Sequence, residues 1–188
     1  MYDQYNALIF DMDGTILDTE PTHRKAWHQV LEQYGLTLSE SQMVSFNGAP
    51  SWRLAQFIIE KNHSSHDPYQ LAAEKTAAVK AMLLENVLPL PLLEVAKAYH
   101  GRRPMAVGTG SEHSMADALL TQLGVRELFT AVVGADDVER HKPEPDTFLR
   151  CAALMGVDPT RCVVFEDADF GVQAAKAADM DVVDIRLL

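Results

Sequence analysis

The chain has 188 residues, of which 47% are hydrophobic and 23% are charged, and its formal net charge is −11 at pH 7. This length and composition predict one globular domain, or one domain that carries a smaller inserted module. The acidic balance argues against nucleic acid and anionic membranes as partners, because both of them attract basic surfaces.

The first predicted element is a buried strand at residues 7–10, where an apolar run ends at Asp11. Further apolar runs of strand length follow at residues 104–108, 131–134, 162–165 and 181–185. Amphipathic stretches of helical length lie between them, at residues 112–123, 146–155 and 169–178. Strands that alternate with helices predict parallel βαβ units. The predicted fold class is therefore α/β, a Rossmann-like doubly wound parallel sheet with helices on both faces.

Residues 17–87 interrupt this alternation, because their pattern is helical and contains no clear strand. Candidate helices lie at residues 21–34, 39–46, 50–61 and 68–85. Pro21 and Pro68 suit a first helical turn, and Gly35 suits the end of the first helix. Residues 88–91, Leu-Pro-Leu-Pro, are typical of a stiff return linker. We therefore predict a core of residues 1–16 and 88–188, with residues 17–87 inserted as a four-helix module.

The first chemical signal is the pair Asp11 and Asp13, which follows the first predicted strand and precedes Gly14. If the chain turns here, both carboxylates can face one cavity at the carboxyl end of the sheet. One could attack a phosphorus atom, and the other could transfer protons to and from oxygen. Taken alone, the pair fits a plain Asp-Gly turn with a solvated aspartate equally well.

Glu166 and Asp167 form a second acidic pair, directly after the strand predicted at residues 162–165. Two acidic pairs at strand ends repel each other unless a cation joins them. A donor set made only of oxygens suits Mg²⁺ better than zinc. The same acids could also cap the following helix, whose N-terminus attracts negative charge, and that role is compatible with metal binding.

Two other strand ends carry groups that could hold phosphate. Thr109, Gly110 and Ser111 lie between a predicted strand and a helix, where hydroxyl and free N–H groups can cradle an anion. Lys142 follows the next strand and could offset the acids. Each feature alone has an ordinary explanation, as a turn or as a solvated lysine. Together with the acidic pairs, they predict one phosphate site along the strand ends.

The two cysteines, Cys151 and Cys162, form no ligand or disulfide pattern and predict buried free thiols. The N-terminus shows no basic region followed by an apolar segment, and no apolar run reaches the length of a membrane span. These features predict a cytoplasmic protein without a membrane partner. The lack of an apolar surface stripe predicts a monomer.

Taken together, the strand-end motifs resemble those of the haloacid dehalogenase superfamily of phosphatases, over essentially the whole chain. The four motifs correspond to Asp11-Met12-Asp13-Gly14-Thr15, Thr109, Lys142 and Glu166-Asp167. The helical insertion between the first two motifs resembles a four-helix cap. Within the superfamily, Asp18-Thr19-Glu20 with His23 and Trp27 is similar to the β-phosphoglucomutase-like branch.

The resemblance implies a Mg²⁺-dependent phosphatase for small sugar phosphates, of the fructose 1-phosphate or 6-phosphogluconate type. It implies that Asp11 is the nucleophile that forms an aspartyl-phosphate, and that Asp13 is the acid and base. Thr109 and Lys142 would hold the phosphoryl oxygens. Mg²⁺ would be held by Asp11, the Asp13 main-chain carbonyl and Asp167, with help from Glu166. The candidates for binding the substrate are Gly110, Ser111, His23, Asn47, Trp52, Arg53 and Lys75.

Three departures from the resemblance bear on function. His141 and Asp179 stand where the family often has glycine, and both should be tolerated unless His141 requires a positive φ. Mutases of this branch place an arginine shortly after the cap glycine to hold a second phosphate. Here the residues after Gly48 lack it and Arg53 comes later, so a hydrolase is favoured over a mutase.

A receiver-type phosphorylation switch is an alternative from a different class, because it also uses strand-end acids, a threonine, a lysine and Mg²⁺. Such a switch carries no helical insertion after its first strand. Sustained phosphate release indicates the enzyme, and a single phosphorylation indicates the switch.

Overall fold

The computed structural model describes the backbone of residues 1–188 and all side chains except those of residues 81 and 84–86. The strands are β1 (Ala7–Phe10), β2 (Leu17–Asp18), β3 (Leu88–Pro89), β4 (Met105–Gly108), β5 (Ala131–Val133), β6 (Cys162–Glu166) and β7 (Asp181–Asp184). The helices are α1 (Glu20–Tyr34), α2 (Glu40–Val44), α3 (Ser51–Lys61), α4 (Pro68–Asn86), α5 (Leu93–Tyr99), α6 (His113–Gln122), α7 (Asp146–Met155) and α8 (Asp169–Ala177). Among the helices so described, none combines the length and apolarity needed to cross a bilayer.

The main sheet has five parallel strands in the order β5-β4-β1-β6-β7. The chain builds outward from β1 through β4 to β5, and then returns to the other side of β1 for β6 and β7. The strand order therefore reverses at β1, and in such sheets ligands bind at the carboxyl ends beside the reversal. The predicted α/β fold with a doubly wound parallel sheet is confirmed.

The two faces of the sheet are covered by different helices, which explains why β1 is apolar at every position. Leu8 and Phe10 belong to the apolar cluster that α5 and α6 complete, whereas Ala7 and Ile9 belong to the cluster of α7 and α8. All four residues are fully buried. Burying each of the larger side chains contributes about 1.5–3 kcal/mol. This packing fixes the strand whose end carries Asp11.

Helices α1–α4 all lie between β2 and β3 and enclose an apolar cluster of their own. Its members include Trp27, Leu54, Ile58 and Leu71. Proline stands in the first turn of α1 and of α4, and a left-handed Gly35 ends α1, as predicted. Residues 17–87 remain the predicted extent of the inserted module, called the helical module below.

Two short strands join the helical module to the sheet, and the prediction missed both. Leu17–Asp18 pairs antiparallel with Leu88–Pro89, although we expected no strand in residues 17–87 and a stiff return linker at residues 88–91. Leu90 N donates to the Ile16 carbonyl at 2.8 Å and extends the pairing. Pro89 is compatible with this position because the ribbon has only two strands, so a residue without an N–H can occupy its edge.

Candidate active site

Asp11 and Asp13 lie in a tight loop after β1, which buries the Asp11 side chain. The loop is closed by hydrogen bonds, including Gly14 N to the Leu17 carbonyl at 2.9 Å. Gly14 has a φ of 82°, and a Cβ at this residue would collide with the Asp167 carboxylate. Two features therefore require glycine at position 14: the left-handed backbone conformation and the close approach of the Asp167 carboxylate.

Lys142 bridges two of the acids from a fully enclosed position. Its Nζ donates to Asp11 Oδ1 and to Glu166 Oε1, both at 2.7 Å, and it lies 4.7 Å from the centre of the Phe148 ring. Burial disfavours the charge of Lys142, but Asp11 and Glu166 outweigh burial and raise its pKa. Lys142 therefore brings a fixed positive charge to the end of β1 in a protein that is acidic as a whole.

The Asp13 carboxylate is held by hydroxyl groups from both sides of the site. Thr19 Oγ1 donates to Oδ1 at 2.6 Å, while Thr109 Oγ1 and Ser111 Oγ donate to Oδ2 at 2.9 and 2.8 Å. His23 Nε2 lies 3.4 Å from Oδ1. Burial alone would raise the pKa of Asp13, but the interactions with His23, Thr19 and Ser111 lower it below its usual value. Asp13 is therefore ionised in this arrangement.

Asp11, Glu166 and Asp167 form the group that could hold a metal ion, since one oxygen from each lies within 4.8 Å of the others. Burial, followed by the charge of Glu166, raises the pKa of Asp11 to about 7. Burial and the charge of Asp11 likewise raise the pKa of Asp167 to about 7. Carboxylates that repel each other in this way are stabilised by a cation, and three oxygen donors suit a hard divalent cation.

The members of this group are not equally free to bind a metal. Glu166 Oε1 accepts from Lys142, and Oε2 accepts from the Ala168 N–H at 2.7 Å. Asp167 Oδ1 accepts from Thr15 Oγ1 at 3.0 Å. Asp11 and Asp167 are thus the direct candidates, with Glu166 orienting Lys142. The assignment of the Asp13 carbonyl to the metal stays a prediction.

The metal-free protein should lose stability as the pH rises. The folded-state pKa values near 7 of Asp11, Asp167 and Glu20 exceed the ordinary values of 3.8 and 4.5, so the folded state binds more protons than the unfolded chain between about pH 4 and 7. The free energy of unfolding should therefore decrease through this window, and the lowered pKa of Lys75 should make it rise again above about pH 8.

Adding Mg²⁺ should reverse this loss. At about 100 times its Kd, Mg²⁺ should add about 2.7 kcal/mol at about pH 7.5, and clearly less at about pH 5, where protons compete for the carboxylates. Urea unfolding at the two pH values, with Mg²⁺ or with a chelator, measures both effects. An equal gain at both pH values would contradict the assignment of the metal to these acids.

A cavity extends from Asp11 and Asp13 toward α1, α3 and α4, and encloses about 580 Å³ of space, including its opening to solvent. The predicted residues His23, Asn47, Lys75, Gly110 and Ser111 line it, together with Glu20, Arg24 and Trp27, for which we predicted no role in binding. A larger neighbouring cavity has Trp52 in its wall. Arg53 lines neither cavity.

His23 and Lys75 act as a unit in the cavity wall. Lys75 Nζ lies 2.6 Å from His23 Nδ1 and donates to Ser51 Oγ at 3.0 Å. Burial lowers the pKa of Lys75 to about 8, and burial with the Lys75 charge lowers the pKa of His23. A neutral His23 with a charged Lys75 presents hydrogen-bond donors and one cation to whatever occupies the cavity. The role of Ser51 was not predicted, because a serine beside a proline at a helix start has many ordinary explanations.

The helical module approaches the loop of residues 109–111 closely through the Gly48 carbonyl. A Cβ added to Gly110 would lie 2.8 Å from the Gly48 carbonyl oxygen, and a Cβ on Gly48 would lie 3.1 Å from that of Ala168. The two departures from the family pattern are also accommodated. His141 does not have a positive φ, and Asp179 adopts the left-handed conformation with a φ of 56°.

Substituting Gly110 by alanine should lower kcat/KM about tenfold or more, because the new methyl group would keep the helical module from packing against the loop of residues 109–111. The sheet itself is not touched, so the melting temperature should change little. Steady-state kinetics and thermal unfolding of Gly110→Ala, beside a Thr121→Ala control at an exposed position of α6, test this expectation. Unchanged kcat/KM would show that the close contact with Gly48 is dispensable.

The site therefore combines a buried lysine, a cluster of carboxylates and a set of hydroxyl donors at the carboxyl end of a doubly wound sheet. The model of the haloacid dehalogenase-like hydrolase family matches residues 5–179. The chain belongs to this family, which makes it a hydrolase.

Individual relatives agree with this membership. Fructose-1-phosphate phosphatase YqaB of Escherichia coli is 65% identical over 188 residues, which is 100% of both chains. The phosphorylated carbohydrates phosphatase of Thermotoga maritima is 31% identical and covers 93% of this chain and 82% of its own length. Among solved structures, β-phosphoglucomutase from Clostridium difficile has a TM-score of 0.83 at 25% identity, and covers 95% of this chain and 83% of its own.

Proposed function

We propose that the protein is a Mg²⁺-dependent phosphatase that hydrolyses small sugar monophosphates, of the fructose 1-phosphate or 6-phosphogluconate type. The observation that carries the proposal is the buried Lys142 ammonium, which joins Asp11 to Glu166 beside the hydroxyls of Thr109 and Ser111. The name of the relative with 65% identity supports the choice of sugar. We expect the enzyme to act in the cytoplasm as a monomer, which gel filtration can test.

In the first step, Asp11 would attack phosphorus and form an aspartyl-phosphate as the bond to the sugar oxygen breaks. Lys142 and the hydroxyls of Thr109 and Ser111 would hold the phosphoryl oxygens. Without phosphate, both hydroxyls donate hydrogen bonds to the Asp13 carboxylate. Phosphate binding would therefore take two hydrogen-bond donors away from Asp13. The pKa of Asp13 would then rise, which would allow it to carry a proton to the departing sugar oxygen.

In the second step, ionised Asp13 would take a proton from water, which would attack the aspartyl-phosphate and release phosphate. Asp11 and Asp167 would hold a divalent cation, whose charge would neutralise the phosphoryl oxygens and keep Asp11 ionised. His23, Lys75, Asn47 and Trp52 would then contact the sugar from the helical module. This assignment follows from their places in the two cavity walls.

The test is the release of inorganic phosphate from a panel of sugar phosphates, with Mg²⁺ and with chelator. We expect sustained turnover on fructose 1-phosphate or 6-phosphogluconate that the chelator abolishes. No turnover on any sugar monophosphate in the presence of Mg²⁺ would overturn the proposal. Phosphorylation that stops after one equivalent would favour the receiver-type switch.

A mutase is the second candidate, because β-phosphoglucomutase of Bacillus subtilis is 28% identical over 187 residues. The panel should therefore include β-glucose 1-phosphate together with a glucose bisphosphate activator. Formation of glucose 6-phosphate faster than phosphate release would support the mutase. We expect phosphate release to dominate, because no arginine directly follows Gly48 to hold a second phosphate.

A further inference from the structure

Arg53 lies at the boundary between the helical module and the sheet, and its guanidinium faces the loop that carries Lys142. Nη1 donates to the main-chain carbonyl of Lys142 at 3.2 Å. The guanidinium carbon lies 5.1 Å from the centre of the Phe170 ring in α8, which is the geometry of a cation–π contact. Arg53 lines neither cavity, and these two contacts account for its position.

Aromatic residues near Arg53 also make contacts across the boundary between the helical module and the sheet. The Trp52 ring meets the His141 ring edge to face, with centroids 5.9 Å apart. On the other side, Phe46 of the helical module meets Phe170 in the same manner at 6.2 Å. Two consecutive residues of α3 therefore contact two consecutive residues of the lysine loop, and Arg53 is the one that makes a directed, charged hydrogen bond.

We propose that Arg53 is a positioning residue that links the seating of the helical module to the orientation of Lys142. The inference rests on the proposed function, because it gives Arg53 a part in the same reaction. The Lys142 ammonium must reach Asp11 and Glu166 together, and Arg53 restrains the backbone from which that side chain extends. When the helical module lifts from the sheet, the carbonyl loses its donor and the loop loses this restraint.

The mechanism distinguishes Arg53 from a residue that binds substrate. Arg53 acts through Lys142, so its loss should weaken the hold on the transferring phosphoryl group more than the binding of the sugar. The Arg53→Met variant should therefore lower kcat about tenfold, as expected for one lost hydrogen bond from a charged donor, and change KM by no more than about twofold. Arg53→Lys keeps a charged donor and should recover a large part of kcat.

The experiment measures kcat and KM for wild type, Arg53→Met, Arg53→Lys and an Arg150→Met control, whose arginine is exposed on α7. Phe170→Leu is measured alone and combined with Arg53→Met, and the double variant should lose less kcat than the product of the two single losses, because both residues belong to one contact. NMR titration of His141 gives an independent readout. Burial and then the Arg53 charge lower its pKa, so the value should rise in Arg53→Met and stay unchanged in the control.

A rise in KM at unchanged kcat would overturn the inference and show that Arg53 binds the substrate. Unchanged kinetics in Arg53→Met, or a lysine variant no better than the methionine variant at equal melting temperature, would also overturn it. These outcomes leave the proposed function standing as long as the wild type hydrolyses sugar phosphates. Only the absence of wild-type turnover with Mg²⁺ would overturn the proposed function.

Discussion

Replacing Asp11 by asparagine should lower turnover by a factor of at least about 10⁴ and leave the fold intact, because the reaction would lose the group that bonds to phosphorus. Asparagine has nearly the same shape, and Lys142 would keep its bond to Glu166. The change also removes one of the charges that raise the pKa of Asp167. The free energy of unfolding of the metal-free protein at neutral pH should therefore be unchanged or higher.

Phosphate release and urea unfolding of Asp11→Asn measure the two effects, and an acid quench with radiolabelled substrate tests the intermediate. Labelled protein should accumulate in the wild type and be absent from the variant. Asp158→Asn is a suitable control, since Asp158 is an exposed helix cap and asparagine caps a helix equally well. If Asp11→Asn kept more than about a hundredth of wild-type kcat, Asp11 could not be the nucleophile.

Replacing Lys142 by methionine should affect both activity and stability. The variant leaves Asp11 and Glu166 buried without their shared cation, and breaking a buried pair costs about 3–5 kcal/mol. It also removes the positive charge proposed to hold the phosphoryl oxygens, which should lower kcat by about 10³ or more. Methionine fills a similar volume against Phe148, so the loss would reflect charge more than packing.

The pH dependence identifies the cause of this destabilisation. Without the ammonium, the pKa values of Asp11 and Glu166 rise further, and protonation at low pH removes the repulsion between them. The stability difference from wild type should therefore be larger at about pH 7.5 than at about pH 5. Lys97→Met provides the matched control, because its pair with Glu94 is exposed and should contribute at most about 1 kcal/mol. A difference independent of pH would indicate lost packing instead.

The strand ends of the site could be predicted because burial marks them in the sequence. Strands covered on both faces are continuous apolar runs, so a polar residue directly after such a run stands at the edge of the sheet. Asp11, Thr109 and the pair Glu166-Asp167 all follow this rule, and parallel strands place their carboxyl ends at one edge. The position of the site therefore follows from the fold class, and the same sequence pattern predicts both.

Features that depend on tertiary contacts could not be predicted from the sequence. The strands Leu17–Asp18 and Leu88–Pro89 are too short to show an alternating pattern, and their partners lie about seventy residues apart in the chain. The helix Leu93–Tyr99 has only seven residues, too few to show a clear helical period. For Arg53, the helical period predicts its position on α3. It does not predict that its guanidinium donates to the Lys142 carbonyl, which lies on another element.

The pairing of β2 with β3 also limits how the two parts of the molecule can move. The outgoing and returning chains are held together by hydrogen bonds, so we expect a displacement of the helical module to pivot about this ribbon. Points far from the ribbon travel furthest, and points on it hardly travel. The loop of Asp13 is bonded to Leu17 and stays near the ribbon, while Arg53 reaches across to the lysine loop. Asp13 would thus keep its position relative to the sheet during such a movement, and the larger displacement would fall on the contact between Arg53 and the loop that carries Lys142.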